Sequence, residues 1–333
     1  MRIIDFHNHY YPPEYVAALA GGKGPVTVES DRDGNPVLHS PGDVNVVVRG
    51  HRDIAYRETV LDEEGIDVQV LTFTAPGVQV HAPREAAAFS RMVNDALAGI
   101  VNGHPGRFAA LATLPLNDPD AAVVEYRRAT SELGLPGAMV FSNVGGVALS
   151  DERFWPLYEE ASAAENVVYI HPTYPAGVEA MERYWLMPLV GFPFDTTLAA
   201  ASLVYSGVVE RFPGIKWVLA HLGGAIPYLA ERLDRGYEAF RECRANLTQP
   251  PSEHLKRFYY DTVNFDPQAL ALALEFAGVD RLVAGSDYPH RIGSLRSMVQ
   301  SIEGLPLEDE ARAAILSGNA ARLLGLERPA GPS

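Results

Sequence analysis

The 333-residue sequence predicts an α/β fold: one (β/α)8 TIM barrel spanning 1–333, with a small β insertion at about residues 23–53. Three observations carry that expectation. Short β-rich apolar runs alternate with longer segments whose apolar residues recur at helical spacing, the pattern of parallel strands joined by helical crossovers. Eight such runs fit within the length, the number with which this barrel closes. Residues able to bind metal fall just past the ends of several runs, where barrel enzymes build their sites.

The expected strands are 2–6, 68–73, 108–114, 137–141, 167–170, 215–220, 258–261 and 282–285. Helical spacing marks 83–101, 118–133, 151–164 and 267–277 between them. The connection after strand one is anomalous. Val26-Thr27-Val28-Glu29, a turn at Asp33-Gly34-Asn35-Pro36 and Val44-Asn45-Val46-Val47-Val48 predict a small β insertion rather than a second domain. At the carboxyl end of a barrel strand such an insertion commonly forms a lid. A second excursion, 173–212, contains Tyr184-Trp185-Leu186-Met187-Pro188 and a helix through 198–209. The tail, 327–333, is rich in Pro and Gly and is expected to be loose.

Composition narrows the function. The net charge of −15 argues against a nucleic-acid surface, which needs clustered cations. The lysines are Lys23, Lys216 and Lys256, so arginine carries the positive charge and favours bidentate carboxylate recognition. One cysteine, Cys243, excludes an intramolecular disulfide and a thiolate-rich zinc cluster. No signal peptide and no run of about 18 apolar residues is visible. The expectation is a cytoplasmic protein with no membrane or nucleic-acid partner.

His7 and His9 lie two apart at the end of strand one, so a period of two puts both side chains on one face, the barrel interior. Alone, such a pair could be two buried histidines bonded to their neighbours. His171, His221 and Asp287 follow strands five, six and eight, and packing does not explain that repetition. A catalytic divalent ion takes three or four protein ligands and keeps an open position. His7, His9 and His171 supply nitrogen and Asp287 supplies oxygen. The ion would acidify its water, leaving His221 to hydrogen-bond that water and move protons. His221 could instead be a further ligand or a prop for one. Strand four, Gly137-Ala138-Met139-Val140-Phe141-Ser142-Asn143, offers no lysine for a carbamate bridge, so one metal is expected rather than two.

Asp5-Phe6-His7-Asn8-His9, His171-Pro172, His221-Leu222-Gly223-Gly224 and Gly285-Ser286-Asp287-Tyr288-Pro289 resemble the amidohydrolase superfamily. More narrowly they are similar to its amidohydrolase 2 branch, the 2-amino-3-carboxymuconate-6-semialdehyde decarboxylase-like group. The resemblance covers nearly the whole chain, including Tyr56-Arg57, Asp62-Glu63-Glu64-Gly65-Ile66-Asp67-Val68, Glu210-Arg211-Phe212-Pro213, Pro251-Ser252-Glu253 and Ser317-Gly318-Asn319-Ala320-Ala321-Arg322-Leu323-Leu324. It implies zinc, or manganese in its place, on His7, His9, His171 and Asp287, with His221 beside the reacting centre. It also implies a substrate-carboxylate arginine at Arg232, reaching across into the neighbouring subunit of a homodimer or higher oligomer, and a second arginine at Arg49 or Arg52. The implied reaction is non-oxidative decarboxylation of an unsaturated or aromatic carboxylic acid, with metal-bound water, His221 or Asp287 handling the proton. A hydrolase or hydratase acting on a lactone or oxo-acid with the same residues is the alternative.

Trp185, Phe192 and Phe73 either wall the pocket or pack in the core. His290 is expected on the rim rather than touching substrate, and His51 in an exposed loop rather than reaching the site as a lid residue. His39, His81, His104 and His254 receive no role, and Asp261 is expected to be a structural hydrogen-bond partner.

Overall fold

The structure is a computed structural model that describes residues 1–22, 24–40 and 43–326; Lys23 and the tail 327–333 lie outside it. Eight parallel strands form two hydrogen-bonded arcs. Ile4–His9, Val68–Thr72 and Phe108–Ala110 make one; Gly137–Phe141, Val167–His171, Lys216–Leu219, Tyr259–Asp261 and Leu282–Val283 make the other. Two isolated bridges close the ring, Ala112 with Ala138 and Asn8 with Tyr288. The Phe6 amide donates to the Ala284 carbonyl at 2.7 Å on the second seam. The predicted barrel is therefore observed.

Three strands differ from expectation by more than one residue at an end, each for a local reason. The third strand stops at Ala110 because the amide of Thr113 turns to the Asn94 side chain at 2.8 Å. The eighth stops at Val283, and Ser286 bonds to Asp5 through both its amide (3.0 Å) and its hydroxyl (2.6 Å). The first strand runs on to His9, and it carries a bulge. Asp5 pairs with Gln69 but Asn8 pairs with Leu71, so three residue steps on one strand face two on the other. An extra residue inverts the alternation of faces. Ile4 and Phe6 belong to the apolar cluster inside the barrel, together with Val70, Leu111, Met139, Tyr169 and Val218. Without the bulge His7 and His9 would point away from that interior; with it, Phe6 and His7 both meet the ring of Tyr169, at 5.4 and 5.7 Å between centroids. Gly285 makes room for this path, since a Cβ there would lie 2.8 Å from that of His7.

Helices including Pro83–Gly103, Pro119–Ser131, Trp155–Ala163 and Pro267–Ala277 follow their strands, and a larger apolar cluster fills the space between helices and strands. The insertion is a three-stranded antiparallel sheet, Thr27–Ser30, Pro36–Ser40 and Asp43–Val46. Asp31 shapes its first turn by accepting from the amides of Asp33 (2.9 Å) and Asn35 (2.8 Å). The Ser40 hydroxyl bonds that of Tyr174, fastening the insertion to the second excursion. That excursion enters the helix Phe192–Tyr205. By length and composition alone the stretch Met187–Tyr205 could cross a membrane, but half of it is buried in the protein. Its buried Asp195 also bonds Ser142 and Asn143 beyond the ends of the barrel strands, so it is placed as a core helix.

Candidate metal centre

Five predicted residues converge at the carboxyl end of the barrel. His7 Nε2 lies 3.1 Å from His9 Nε2 and 3.4 Å from Asp287 Oδ1, and His9 Nε2 lies 3.0 Å from the same oxygen. Candidate ligand atoms of His7, His9 and Asp287 all fall within 4.8 Å of one another, and so do those of His7, His171 and His221. The rings of His7 and His171 are 5.3 Å apart and those of His171 and His221 are 5.5 Å apart. His7 is thus the shared member of both groups.

The surrounding structure fixes which atoms face inward. Asp261 Oδ2 takes His7 Nδ1 at 2.6 Å, leaving Nε2 for the centre. Asp261 also accepts from the Tyr169 hydroxyl and from the amides of Leu222 and Val263, which bears out its structural reading. His171 Nδ1 bonds the Pro172 carbonyl at 2.8 Å, leaving Nε2. His221 and Asp287 sit at φ 53° and 59°, left-handed values that side chains other than glycine adopt at a cost. The His-Leu-Gly-Gly turn is equally constrained: Gly224 has φ 62°, and a Cβ there would lie 2.0 Å from the Pro193 carbonyl oxygen.

The donor set fits a divalent ion. His171 Nε2 and His221 Nδ1 are buried atoms with no hydrogen-bond partner, which is costly unless something else occupies them. Burial pushes His9 down to about 3 and His221 down to about 4, and holds His171 well below the usual imidazole range, so all three present neutral nitrogen. His7 differs. Burial alone would lower it, but the carboxylates of Asp261 and Asp287 outweigh that and raise it to about 10. Burial opposes ionisation of Asp287 too, yet hydrogen bonds from His7 and His9 hold it well below the carboxylate range. A cation at His7 Nε2 would take the place of one proton.

The other expected residues are distributed unevenly. Phe192 stands beside His171, 6.3 Å between ring centroids. Phe73 is core, packed against Tyr11 and Tyr15. Trp185 is 65 % exposed and lines a cavity of about 840 Å3 with His39, Ser40, Asp43, Tyr174 and Met187; none of the clustered histidines lines that cavity. Arg52 turns its Nε toward the Val47 carbonyl at 3.4 Å, and Arg49 pairs with Asp53 at 2.8 Å. Arg232 is exposed on the outer helix Ile226–Ala239 and bonds no member of the cluster among the described residues.

Two expectations about histidines are overturned. His51 is buried, 2 % exposed, not an exposed loop residue. Its short helix Arg49–Arg52 tucks inward because Gly50 abuts Tyr288 and the Gly50 carbonyl accepts from Arg57 Nε at 3.0 Å. His290 is partly covered and its ring lies 4.7 Å from that of His9, tilted 48° to it, which puts it at the cluster rather than out on the rim. A network beneath the site was not foreseen. Buried Arg57 donates to Asn8 Oδ1 (2.8 Å), Gln69 Oε1 (2.9 Å) and the His9 carbonyl. Gln69 in turn donates to Asp5 at 2.7 Å, so one polar chain holds the first strand against the segment carrying Asp287. Buried Asp5 is pushed up to about 6 by desolvation.

Comparison with known proteins agrees with this geometry. Residues 4–326 match the family model described as Amidohydrolase. The 2-amino-3-carboxymuconate-6-semialdehyde decarboxylase of Dictyostelium discoideum is 34% identical over 272 residues, 80% of this chain and 75% of that one. The crystal structure of 5-carboxyvanillate decarboxylase from Sphingomonas paucimobilis superposes with a TM-score of 0.86 at 27% identity, covering 97% of this chain and 99% of that one. That of a dihydroxybenzoic acid decarboxylase from Polaromonas sp. JS666, with bound manganese and the inhibitor 2-nitroresorcinol, gives 0.83 at 27% identity and 98% coverage of both.

Proposed function

We propose, from the premise that this chain belongs to the amidohydrolase family, that it is a metal-dependent, non-oxidative decarboxylase of an aromatic or unsaturated carboxylic acid. The observation that carries the reading is the meeting of His7 Nε2, His9 Nε2 and Asp287 Oδ1 within 3.4 Å at the barrel mouth, with His171 and His221 beside them. His7, His9, His171 and Asp287 would hold one divalent ion. Zinc suits the three imidazoles and one carboxylate; manganese is the alternative, supported by the dihydroxybenzoic acid decarboxylase. When bound, the ion supplies Lewis acidity that polarises an oxygen of the acid.

The chain's own groups do the rest. The carbon bearing the carboxylate gains a proton, and the electron pair of the breaking C–C bond returns to the π system as carbon dioxide leaves; no oxidant is consumed. We assign the proton relay to His221, whose unengaged neutral Nδ1 can take up a proton from solvent and pass it to the carbon, rather than to Asp287, which as a ligand stays ionised. Phe192 offers a ring face to a flat acid. Trp185, on the neighbouring excursion, is a further aromatic for it, and Arg52 a further cation. Arg232 would meet the carboxylate from a second copy of the chain in a homodimer. Its exposure supports this, as does the apolar surface beside it, with Phe194 at 57%, Leu198 at 61% and Tyr228 at 78% exposure.

The test is turnover of unsaturated and hydroxyaromatic acids by zinc- and manganese-loaded protein in heavy water. Release of carbon dioxide with one deuterium at the vacated carbon is the expected result. Net addition of water without carbon dioxide would instead make the chain a hydrolase or hydratase.

A further inference from the structure

Arg57, on the helix Ile54–Glu64, is fully buried, and its five N–H donors all end on neutral acceptors. Nε and one Nη2 hydrogen meet the Gly50 carbonyl at 3.0 and 2.8 Å. Nη1 reaches Asn8 Oδ1 and Gln69 Oε1 at 2.8 and 2.9 Å, and the other Nη2 hydrogen takes the His9 carbonyl. The rings of Tyr10 and Tyr288 flank the guanidinium at 5.6 and 5.0 Å. Burying a cation that no carboxylate touches costs stability, and an apolar side chain of similar length would fill the same space. What arginine adds is a rigid, planar fork of donors.

The targets of that fork converge on the bulge in the first strand. Asn8 Nδ2 donates to the carbonyls of Asp5 and Val70, both at 3.1 Å. Asp5 and Asn8 flank the bulge, and Val70 faces it between Gln69 and Leu71, so this amide staples the bulge to itself and to the neighbouring strand. Arginine can only donate, so its bond to Asn8 Oδ1 fixes which way the amide turns and keeps both N–H groups on those carbonyls. A second arm runs through Gln69 to Asp5, which accepts from the amide and hydroxyl of Ser286, the residue before Asp287. A third holds the His9 carbonyl, while the His9 amide donates to the Tyr288 carbonyl at 2.8 Å. We propose that Arg57 is a positioning residue for the metal centre: acting through Asn8 and Gln69, it holds the bulge that turns His7 and His9 inward and sets Asp287 opposite them. This rests on the metal reading of the site and adds the group that keeps the ligands aimed. Arg57 hydrogen-bonds no ligand side chain, so its effect is on geometry.

The experiment compares Arg57→Lys, which keeps the charge but not the fork, with Asn8→Leu, which keeps the cation but removes the staple. Zinc affinity is measured by competition with a chelator, ligand geometry by the visible spectrum of cobalt-loaded protein, and stability by denaturation. Both variants should bind zinc roughly 10–100-fold more weakly and shift the cobalt bands, the size of effect expected when a partner that orients ligands is lost. Because both act on one bulge, the double variant should be no weaker than the worse single one. Leu323→Ala, a loss of packing at the opposite end of the barrel, should lower stability and leave zinc affinity and spectrum unchanged. Wild-type affinity and spectrum in either folded variant overturns the proposal, as does an equal loss of affinity in Leu323→Ala. Failure of both variants to fold would make Arg57 a stability residue and overturns it too. Failure of the metal reading looks different: the wild type itself would bind neither ion, and both inferences would fall.

Discussion

The two ends of the barrel are built from the same strands and are opposite in kind. At the amino end Ile4, Val68, Val167 and Val283 join Ala320, Leu323 and Leu324 of the helix Asn319–Leu324 in one buried apolar cluster. At the carboxyl end the strands deliver His7, His9, His171, Asp261 and Asp287, all buried and all polar. The apolar end asks only for volume and shape, and substitutions of similar size are tolerated there. The polar end asks for particular atoms in particular places, and it stores cost to get them: a bulge in the first strand, left-handed backbone at His221 and Asp287, and unpartnered buried nitrogens. Changes at the mouth should therefore alter chemistry, and changes at the base should alter stability.

The largest expected break comes at the ligands. His171→Ala removes a nitrogen that nothing else replaces, and both bound metal and turnover should fall to background, read by elemental analysis and carbon dioxide release. A variant that keeps one metal per chain removes His171 from the ligand set. His221→Ala should be milder. It should keep the metal and lose turnover by roughly 10²–10⁴-fold, the range for a positioned acid–base group. Wild-type rates in that variant would make His221 a bystander.

Asp261→Asn sharpens the contrast among the imidazoles themselves. Partners of this kind typically change metal affinity about 10–100-fold. The pH dependence is the stricter measure. Burial works against a proton on His7, but Asp261 and Asp287 keep one there up to about 10. Below that value a cation must displace the proton, so apparent affinity should rise with pH by about tenfold per unit across the neutral range. In Asp261→Asn the slope should flatten, because the main carboxylate holding the proton is gone. An unchanged slope, measured by competition with a chelator, would remove His7 as the proton-bearing ligand.

How much of this was legible in the sequence follows from the same contrast. The four motif ends, the strand–helix alternation and the eight strands were readable because each is a local pattern. That His7 and His9 face inward was readable too, but the reason was incomplete: alternation alone puts them opposite Ile4 and Phe6, and only the observed register shows the bulge between Asp5 and Asn8. His51 could not be placed because its burial depends on Gly50 abutting Tyr288, a contact with a residue far along the chain. The Arg57, Gln69 and Asp5 network was invisible for the same reason: Gln69 and Asp5 lie 64 positions apart, and no spacing rule connects them. Arg232 was named only through family resemblance, and this chain alone does not bring it to the cluster.

The smallest expected effect on chemistry comes from the base. Leu323 is 5 % exposed within the apolar cluster, and Leu323→Ala should cost about 2–5 kcal/mol of stability, the usual range for emptying a buried leucine site. Chemical denaturation at fixed metal concentration would measure it, since metal binding itself stabilises the folded state and would mask the loss if it varied. Turnover and Michaelis constant should be unchanged at a temperature where the variant remains folded. The amino end touches the mouth only through strands whose hydrogen-bonded register does not depend on that side chain. If Leu323→Ala slowed turnover without a matching loss of metal, the barrel would be transmitting strain along its strands to His7 and Asp287, and the two ends could no longer be treated as separate.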